Sequence, residues 1–147
     1  MRYLGLDVGD RTIGVALSDE TETLATGLAT IKRTGPRKDP KAVADLARKH
    51  GVGEVVVGLP RKLDGTIGPQ AQKVLAFIED LRSAVRVPVV PWDERFTTVV
   101  AAQALIEGEV SRKARKAVVD KVSAILILQN YLDYRKLANA EARKSTD

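Results

Sequence analysis

The stretch Tyr3-Leu4-Gly5-Leu6-Asp7-Val8-Gly9-Asp10-Arg11-Thr12-Ile13-Gly14-Val15-Ala16-Leu17 contains two short apolar segments that are separated by turn residues. Gly9-Asp10 lies between these segments at a spacing that is typical of a hairpin. Ser18-Asp19-Glu20 ends the second segment, and a third apolar segment runs from Leu24 to Ile31. The chain is therefore predicted to begin with three antiparallel strands.

The rest of the chain alternates between helical and strand patterns. Asp39-Pro40 is an N-cap and first-turn signal for a helix that ends near Gly51, and Val55-Val56-Val57 is typical of a strand buried on both faces. The remaining predicted elements are a helix over 69–81, a strand over 87–92, a helix over 98–107 and a helix over 118–137. The predicted fold class is α/β, with a five-stranded mixed sheet and helices on both faces.

One domain, over residues 1–138, accounts for this pattern. The segment from Gly108 to Lys116 is polar and basic, and a charged tail follows at 139–147. We predict that both segments are mobile.

Composition narrows the classes of function. The chain has 147 residues, and 24 Lys and Arg against 19 Asp and Glu give a net charge of +5, which favours a polyanionic partner. The absence of cysteine excludes disulfides and thiolate metal sites. No apolar run approaches the length of a membrane span or a signal peptide, so we expect a cytoplasmic protein without a membrane partner.

Acidic residues interrupt the apolar segments at three places. Asp7 and Asp93-Glu94 lie at the carboxyl ends of predicted strands, and Asp120 lies in the first turns of the last predicted helix. Ligands bind at that edge of open α/β sheets, and carboxylates beside a core commonly share a cation. Oxygen ligands favour Mg²⁺ or Mn²⁺, and two such ions could activate a water against a phosphodiester.

Each acidic residue also has a structural explanation. Asp7 could cap the turn into Gly9. Asp93 could cap the following helix, which we favour over catalysis for that residue, and Glu94 could pair with Arg95. Asp120 could be a surface charge near a helix N-terminus.

Basic residues close to these acids are candidates for phosphate binding. Gly58 to Lys62 form a glycine-containing loop with two cations, although turns also contain glycine for steric reasons. The run Arg112, Lys113, Arg115 and Lys116 could hold a nucleic-acid backbone, or it could be a solvated connection between helices.

Several motifs together resemble a known family. They are Gly5-Leu6-Asp7-Val8-Gly9, Val57-Gly58-Leu59-Pro60, Gly68-Pro69-Gln70-Ala71, Asp93-Glu94-Arg95-Phe96-Thr97-Thr98 and Asp120-Lys121 with Ala124. In this order they resemble the YqgF/RuvX family of ribonuclease H-like nucleases over nearly the whole chain. The resemblance implies a ribonuclease H-like fold and an acidic triad of Asp7, Glu94 and Asp120 that is both catalytic and metal-binding. It also implies maturation of the 5′ end of pre-16S ribosomal RNA.

One position departs from the family pattern. Arg11-Thr12 stands where the family commonly has Lys-Arg, so only one of the two positive charges is kept. We expect substrate contacts from a set of basic residues: Arg11, Arg61, Lys62, Arg95, Arg112, Lys113, Arg115 and Lys116.

The leading hypothesis is therefore a nuclease that depends on Mg²⁺ or Mn²⁺, with RNA as the favoured partner and branched DNA as a possible one. A Holliday junction resolvase is the alternative enzyme and would act as a dimer, so both a monomer and a homodimer stay open. A non-catalytic RNA-binding module in ribosome assembly is the alternative outside enzymes. An actin-like ATPase is disfavoured because the chain has room for only one lobe.

Overall fold

A computed structural model describes the backbone of residues 1–94 and 112–145 and the side chains of residues 1–94 and 121–142. Its strands are β1 (Arg2–Val8), β2 (Thr12–Ser18), β3 (Ala25–Lys32), β4 (Val52–Leu59) and β5 (Val89–Asp93). Its helices are α1 (Lys38–Lys49), α2 (Pro69–Ala84) and α3 (Arg112–Ser145).

The five strands form one mixed sheet in the order β3-β2-β1-β4-β5. The pairs β1–β2 and β2–β3 are antiparallel, while β1–β4 and β4–β5 are parallel. The sequence-based prediction of three antiparallel strands followed by parallel ones is confirmed. Because β4 and β5 run parallel to β1, the carboxyl ends of all three strands lie at the same edge of the sheet.

Alternate side chains of the strands enter two separate cores. Leu4, Leu6 and Val57 pack on the face covered by α1 and α2. Tyr3 and Val56 pack on the other face together with residues of α3. Helices therefore cover both faces, as predicted, and the odd-numbered positions of β1 point toward α3.

The direction of α3 across the sheet follows from two contacts with β1. The Tyr3 and Tyr131 rings meet edge to face with centroids 6.0 Å apart. Further along β1, a Cβ atom built on Gly5 would lie 2.6 Å from Cβ of Leu128 and 3.2 Å from the carbonyl oxygen of Ala124. The two elements therefore run in opposite directions. The first part of α3 is directed toward the carboxyl end of β1.

The structure corrects the prediction for the last helix and its flanks. Residues Arg112 to Lys116, predicted as part of a loop, are helical, and α3 also continues through residues 139–145 of the predicted tail. The Arg, Lys and Ala residues of both segments are strong helix formers, so charge alone did not indicate a loop. The predicted helix over 98–107 and residues 108–111 lie outside the described residues, and the domain boundary at 138 stays a prediction.

The 34-residue length of α3 raises the question of a membrane span. None of the helices in the described parts of the chain combines the length and the apolar composition that crossing a bilayer requires.

Candidate active site at the carboxyl edge of the sheet

Asp7 is the second-to-last residue of β1 and lies opposite Gly14 of β2. The parallel register pairs Leu6 with Val57 of β4, so the next position of β4, Gly58, lies beside Asp7. Because Leu6 and Val8 enter the core under α1 and α2, Asp7 faces α3. On that face, its two neighbouring strands present glycines on either side of the carboxylate.

Glu94 reaches the same place from β5. It directly follows Asp93, the last residue of that strand. A Cβ atom on Gly58 would lie only 2.5 Å from Oε1 of Glu94 and 3.1 Å from its Cγ. The Glu94 side chain therefore lies over Gly58, in space that any other residue type would fill. This arrangement brings together two of the three acids predicted from the sequence.

The environment of Glu94 changes its acidity. Burial, followed by the negative charges of Asp7 and Asp93, raises the pKa of the Glu94 carboxyl from 4.5 to about 7. Such a perturbed carboxyl beside a second one is common at catalytic and metal-binding sites. Two oxygen-donor acids in close electrostatic contact fit a hard divalent cation.

The third predicted acid is Asp120, whose backbone lies in α3 one helical turn before Ala124. Ala124 touches Gly5, and α3 runs from there toward the carboxyl end of β1, where Asp7 lies. The side chain of Asp120 is outside the described part of the structure. Among the side chains that are described, no three acidic or histidine groups lie close enough together to hold a metal ion.

Asp93 has a different environment from Glu94. One of its carboxylate oxygens, Oδ2, lies 3.9 Å from Nε of Arg61, and the Asp93 side chain is only 14% exposed. The ion pair keeps Arg61 at the edge of the acidic site. Whether Asp93 also caps a following helix involves residues beyond 94, which the structure does not describe.

The loop after β4 is closed by its own hydrogen bonds. Thr66 accepts from the Lys62 amide at 3.1 Å, and the Asp64 carboxylate accepts from the Thr66 amide at 2.9 Å. The Lys62 side chain passes over Gly68, since its Cε would lie 3.0 Å from a Cβ atom there. Lys62, which follows Arg61 in this loop, thus lies beside the N-terminus of α2.

The other predicted basic residues are only partly placed. Arg11 is exposed in the turn between β1 and β2. Arg95 lies outside the described residues. The backbone positions of Arg112, Lys113, Arg115 and Lys116 are in the first turns of α3, two to three turns before the residues that pack on the sheet.

Sequence reasoning missed two features of the site. Gly58 was assigned to a phosphate-binding loop, but it lies within β4 and makes space for Glu94. A glycine inside a strand pattern indicates close approach of another group, so the signal was present. The interaction of Arg33 with the turn after β1 was also missed, and nothing in the local sequence pattern indicates it.

Comparison with known proteins shows the family of this chain. The family model of RuvX, described as "Holliday junction resolvase", matches residues 1–134. The chain belongs to the RuvX family. A relative from Thermoanaerobacter pseudethanolicus, called "Putative pre-16S rRNA nuclease", is 53% identical over 137 residues, which cover 92% of this chain and 99% of the relative. A relative of the same description from Caldanaerobacter subterraneus subsp. tengcongensis is 54% identical with the same coverage.

Solved structures place this RuvX family member among the ribonuclease H-like folds. Thermus thermophilus RuvC, in complex with a Holliday junction substrate, matches with a TM-score of 0.64 and 17% identity, covering 94% of this chain and 96% of RuvC. The fowlpox virus Holliday junction resolvase matches with a TM-score of 0.53 and 14% identity over 91% of this chain and 99% of the resolvase. At these identities the likeness shows the fold, which the sequence had predicted.

Proposed function

We propose that the protein is a divalent-metal-dependent nuclease that hydrolyses phosphodiester bonds during 5′-end processing of pre-16S ribosomal RNA. The observation that carries the proposal is the position of Glu94 over Gly58, close enough to Asp7 for the charge of Asp7 to raise its pKa. The substrate follows from the descriptions of the relatives with about half of their residues identical to this chain.

Asp7, Glu94 and Asp120 are the residues that would hold Mg²⁺ or Mn²⁺. The donors described at the site are carboxylate oxygens, which these ions prefer. A bound divalent cation supplies a more acidic water and stabilises charge on the phosphate oxygens. Asp7 starts from a fixed strand position, so it would anchor the ion, and Asp120 would complete the site from α3.

Glu94 has a second role in this proposal. A carboxyl with a pKa of about 7 is present in both protonation states near neutral pH. A divalent cation bound beside it would lower this pKa, so in the metal-loaded site Glu94 would be an ionised ligand that helps to orient the attacking water. Its side chain lies over Gly58, on the same face of the sheet as Asp7, which supports this role.

Positive charge around the acidic edge would bind the nucleic-acid backbone. Arg61 lies beside Asp93 at this edge, and Arg11 is exposed in the turn that follows β1. The basic residues at 112–116 begin the helix that leads to Asp120. Such contacts position a substrate without reading its sequence, and they weaken as the salt concentration rises.

The test compares the wild type with Asp7→Asn and a matched control, Asp10→Asn. Asp10 is three residues further on, is exposed and pairs with Lys73 at 3.6 Å. The substrates are an end-labelled pre-16S fragment with its 5′ extension, a DNA strand of the same sequence and a four-way DNA junction, each with Mn²⁺ or Mg²⁺. We expect RNA cleavage that Asp7→Asn abolishes and Asp10→Asn keeps. Full activity of Asp7→Asn would contradict the assignment of the acids.

Holliday junction resolution is the second candidate, and the family description together with the RuvC fold favours it. A resolvase must make two symmetric cuts and therefore works as a dimer. Paired symmetric cuts in the junction, with a dimer in sedimentation, would support this function instead of RNA processing. RNA binding without cleavage under any of these conditions would favour a non-catalytic assembly role.

A further inference from the structure

Arg33 forms hydrogen bonds with the turn that connects β1 to β2. Nη1 of Arg33 donates to the carbonyl oxygen of Gly9 at 2.7 Å, and its backbone amide donates to the carbonyl oxygen of Arg11 at 2.8 Å. The turn also closes on itself, since the Gly9 amide donates to the carbonyl oxygen of Thr12 at 2.9 Å. Arg33 thus contacts both ends of a turn that begins two residues after Asp7.

Arg33 is itself fixed by a buried carboxylate. Its Nε lies 2.8 Å from Oδ2 of Asp39, a residue that is only 1% exposed. Asp39 also accepts hydrogen bonds from the amides of Thr34 and Gly35 at 2.9 and 3.4 Å. Burial alone would raise the pKa of Asp39, but these hydrogen bonds and the charge of Arg33 lower it, so the carboxylate stays ionised. The sequence pattern had assigned Asp39 to a helix cap; in the structure it orders the segment before α1 instead.

The remaining contacts of Arg33 leave it a single orientation. Its guanidinium carbon lies 5.4 Å from the centre of the Phe77 ring, a cation–π distance. A cavity of about 460 Å³, lined in part by Asp10, Arg33, Lys73 and Phe77, opens beside the turn. If Arg33 were released, the turn would therefore have space to move.

We propose that Arg33, oriented by Asp39, is a positioning residue that fixes the Gly9–Arg11 turn so that the Arg11 side chain is placed for nucleic-acid phosphate. The proposal rests on the proposed function only in that Arg11 binds nucleic acid; it does not require cleavage. Arg33 acts through the backbone of the turn, since its guanidinium hydrogen bonds go to Asp39 and Gly9.

Lysine cannot replace Arg33 in this arrangement. One ammonium group lacks the planar fork that reaches the Asp39 carboxylate and the Gly9 carbonyl in different directions. Arg33→Lys keeps the positive charge, so it separates turn positioning from overall electrostatic attraction. Arg33→Gln serves as the second variant, because it can still donate to one of the two partners without the charge.

The test is a double-mutant cycle on RNA binding, measured by fluorescence anisotropy with a short end-labelled single-stranded RNA in EDTA. We expect Arg11→Ala and Arg33→Lys each to weaken binding about fivefold, the scale of one lost charged contact. In the Arg11→Ala background, Arg33→Lys should then have no further effect, because a residue that acts through Arg11 is non-additive with it. Arg11→Ala should also lower the salt dependence of binding by about one phosphate contact.

Arg82→Lys is the matched control. Arg82, a residue of α2, also bridges a carboxylate and a backbone carbonyl: it donates to Glu79 at 2.7 Å and to the carbonyl oxygen of Val89 at 3.1 Å. Val89 is the first residue of β5, so this interaction lies at the opposite end of the strand from the acidic site. The Arg82→Lys substitution should change the midpoint of urea unfolding and leave the effect of Arg11→Ala on RNA binding unchanged. Thermal unfolding of each variant checks that it is folded at the assay temperature, and Arg33→Gln takes the place of Arg33→Lys in the cycle if that variant is not.

The outcomes distinguish this inference from the proposed function. Additive losses in the cycle, or equal coupling of Arg82 to Arg11, would overturn the positioning role even if the protein cleaves RNA. RNA binding that does not depend on Arg11 would overturn it as well. Coupling between Arg33 and Arg11 without any cleavage would support the positioning role and contradict the nuclease.

Discussion

Replacing Glu94 by Gln should make the metal-free protein more stable at high pH. In the folded protein, burial and the charges of Asp7 and Asp93 raise the pKa of Glu94 to about 7, from an ordinary value of 4.5. Ionised Glu94 is therefore less favourable in the folded state than in the unfolded chain. Gln has nearly the same shape and never ionises, so it avoids this penalty.

The sign and size of the effect follow from proton linkage. Since the folded pKa is raised, the stabilisation by protonated Glu94 is fully present below about pH 4.5 and is lost as the pH rises through about 7. The interval between 4.5 and about 7, at 1.36 kcal/mol for each pKa unit, gives an upper limit of about 3 kcal/mol. We expect about 1 to 3 kcal/mol, because solvent reaches part of the side chain.

The assay is urea unfolding in EDTA at about pH 5 and about pH 8, with the wild type, Glu94→Gln and the control Glu141→Gln. Glu141 is an exposed residue of α3. Glu94→Gln should exceed the wild type in free energy of unfolding near pH 8, and most of this advantage should disappear near pH 5. Glu141→Gln should show no such pH-dependent difference.

The reasoning would be refuted by an advantage of Glu94→Gln that is the same at both pH values, or by none at all. In either case Glu94 would not be a buried carboxyl whose pKa is raised by burial and by the charge of Asp7. Saturating Mn²⁺ gives an independent readout. A ligand that binds only the folded state stabilises it, so the ion should raise the unfolding free energy of the wild type more than that of Glu94→Gln.

Three further substitutions test the packing around the site. Gly58→Ala would place a Cβ atom 2.5 Å from Oε1 of Glu94, so we expect about 1 to 3 kcal/mol of destabilisation and a loss of metal-dependent cleavage, measured by urea unfolding and RNA cleavage. Unchanged values of both would contradict the position of Glu94. Gly5→Ala meets Cβ of Leu128 at 2.6 Å, which cannot rotate away, so its cost in urea unfolding should exceed that of Gly58→Ala. Tyr3→Phe removes a buried hydroxyl that has no hydrogen-bond partner in the described structure. The melting temperature of the variant should therefore equal or exceed that of the wild type, and a clear decrease would show that the hydroxyl has a partner.

Much of the fold could be predicted because its signals are local. Apolar segments with period two and turn residues between them predicted β1 to β3, and Val55-Val56-Val57 predicted the buried strand β4. The predicted start of α3 was wrong because a basic segment is equally compatible with a solvated loop and with the exposed first turns of a helix. Helix propensity favoured the helix at Arg112 to Lys116, but it is a weak signal beside charge.

The candidate site was predictable only in part. The rule that ligands bind at the carboxyl ends of parallel strands placed Asp7 and Glu94 at one edge, and the structure agrees. The raised pKa of Glu94 depends on burial by residues that are remote in sequence. Arg33 is 24 residues from Gly9, and its bond to the Gly9 carbonyl depends on how the chain continues after β3 and on the orientation that Asp39 gives to the guanidinium, neither of which the strand pattern specifies.

Gly5 of β1 and Gly58 of β4 determine the geometry of the site as much as the acids do. Gly5 lets α3 approach closely enough for Leu128 to touch the strand, and this contact sets the height of the helix above the sheet. Gly58, on the neighbouring strand, leaves under that helix the space that the Glu94 carboxylate occupies. Burial there reduces screening by water, so the charge of Asp7 raises the pKa of Glu94 more than the same charge would in bulk solvent. Substituting an acid therefore tests the chemistry of the site, whereas substituting Gly58 tests its geometry with every acid still present.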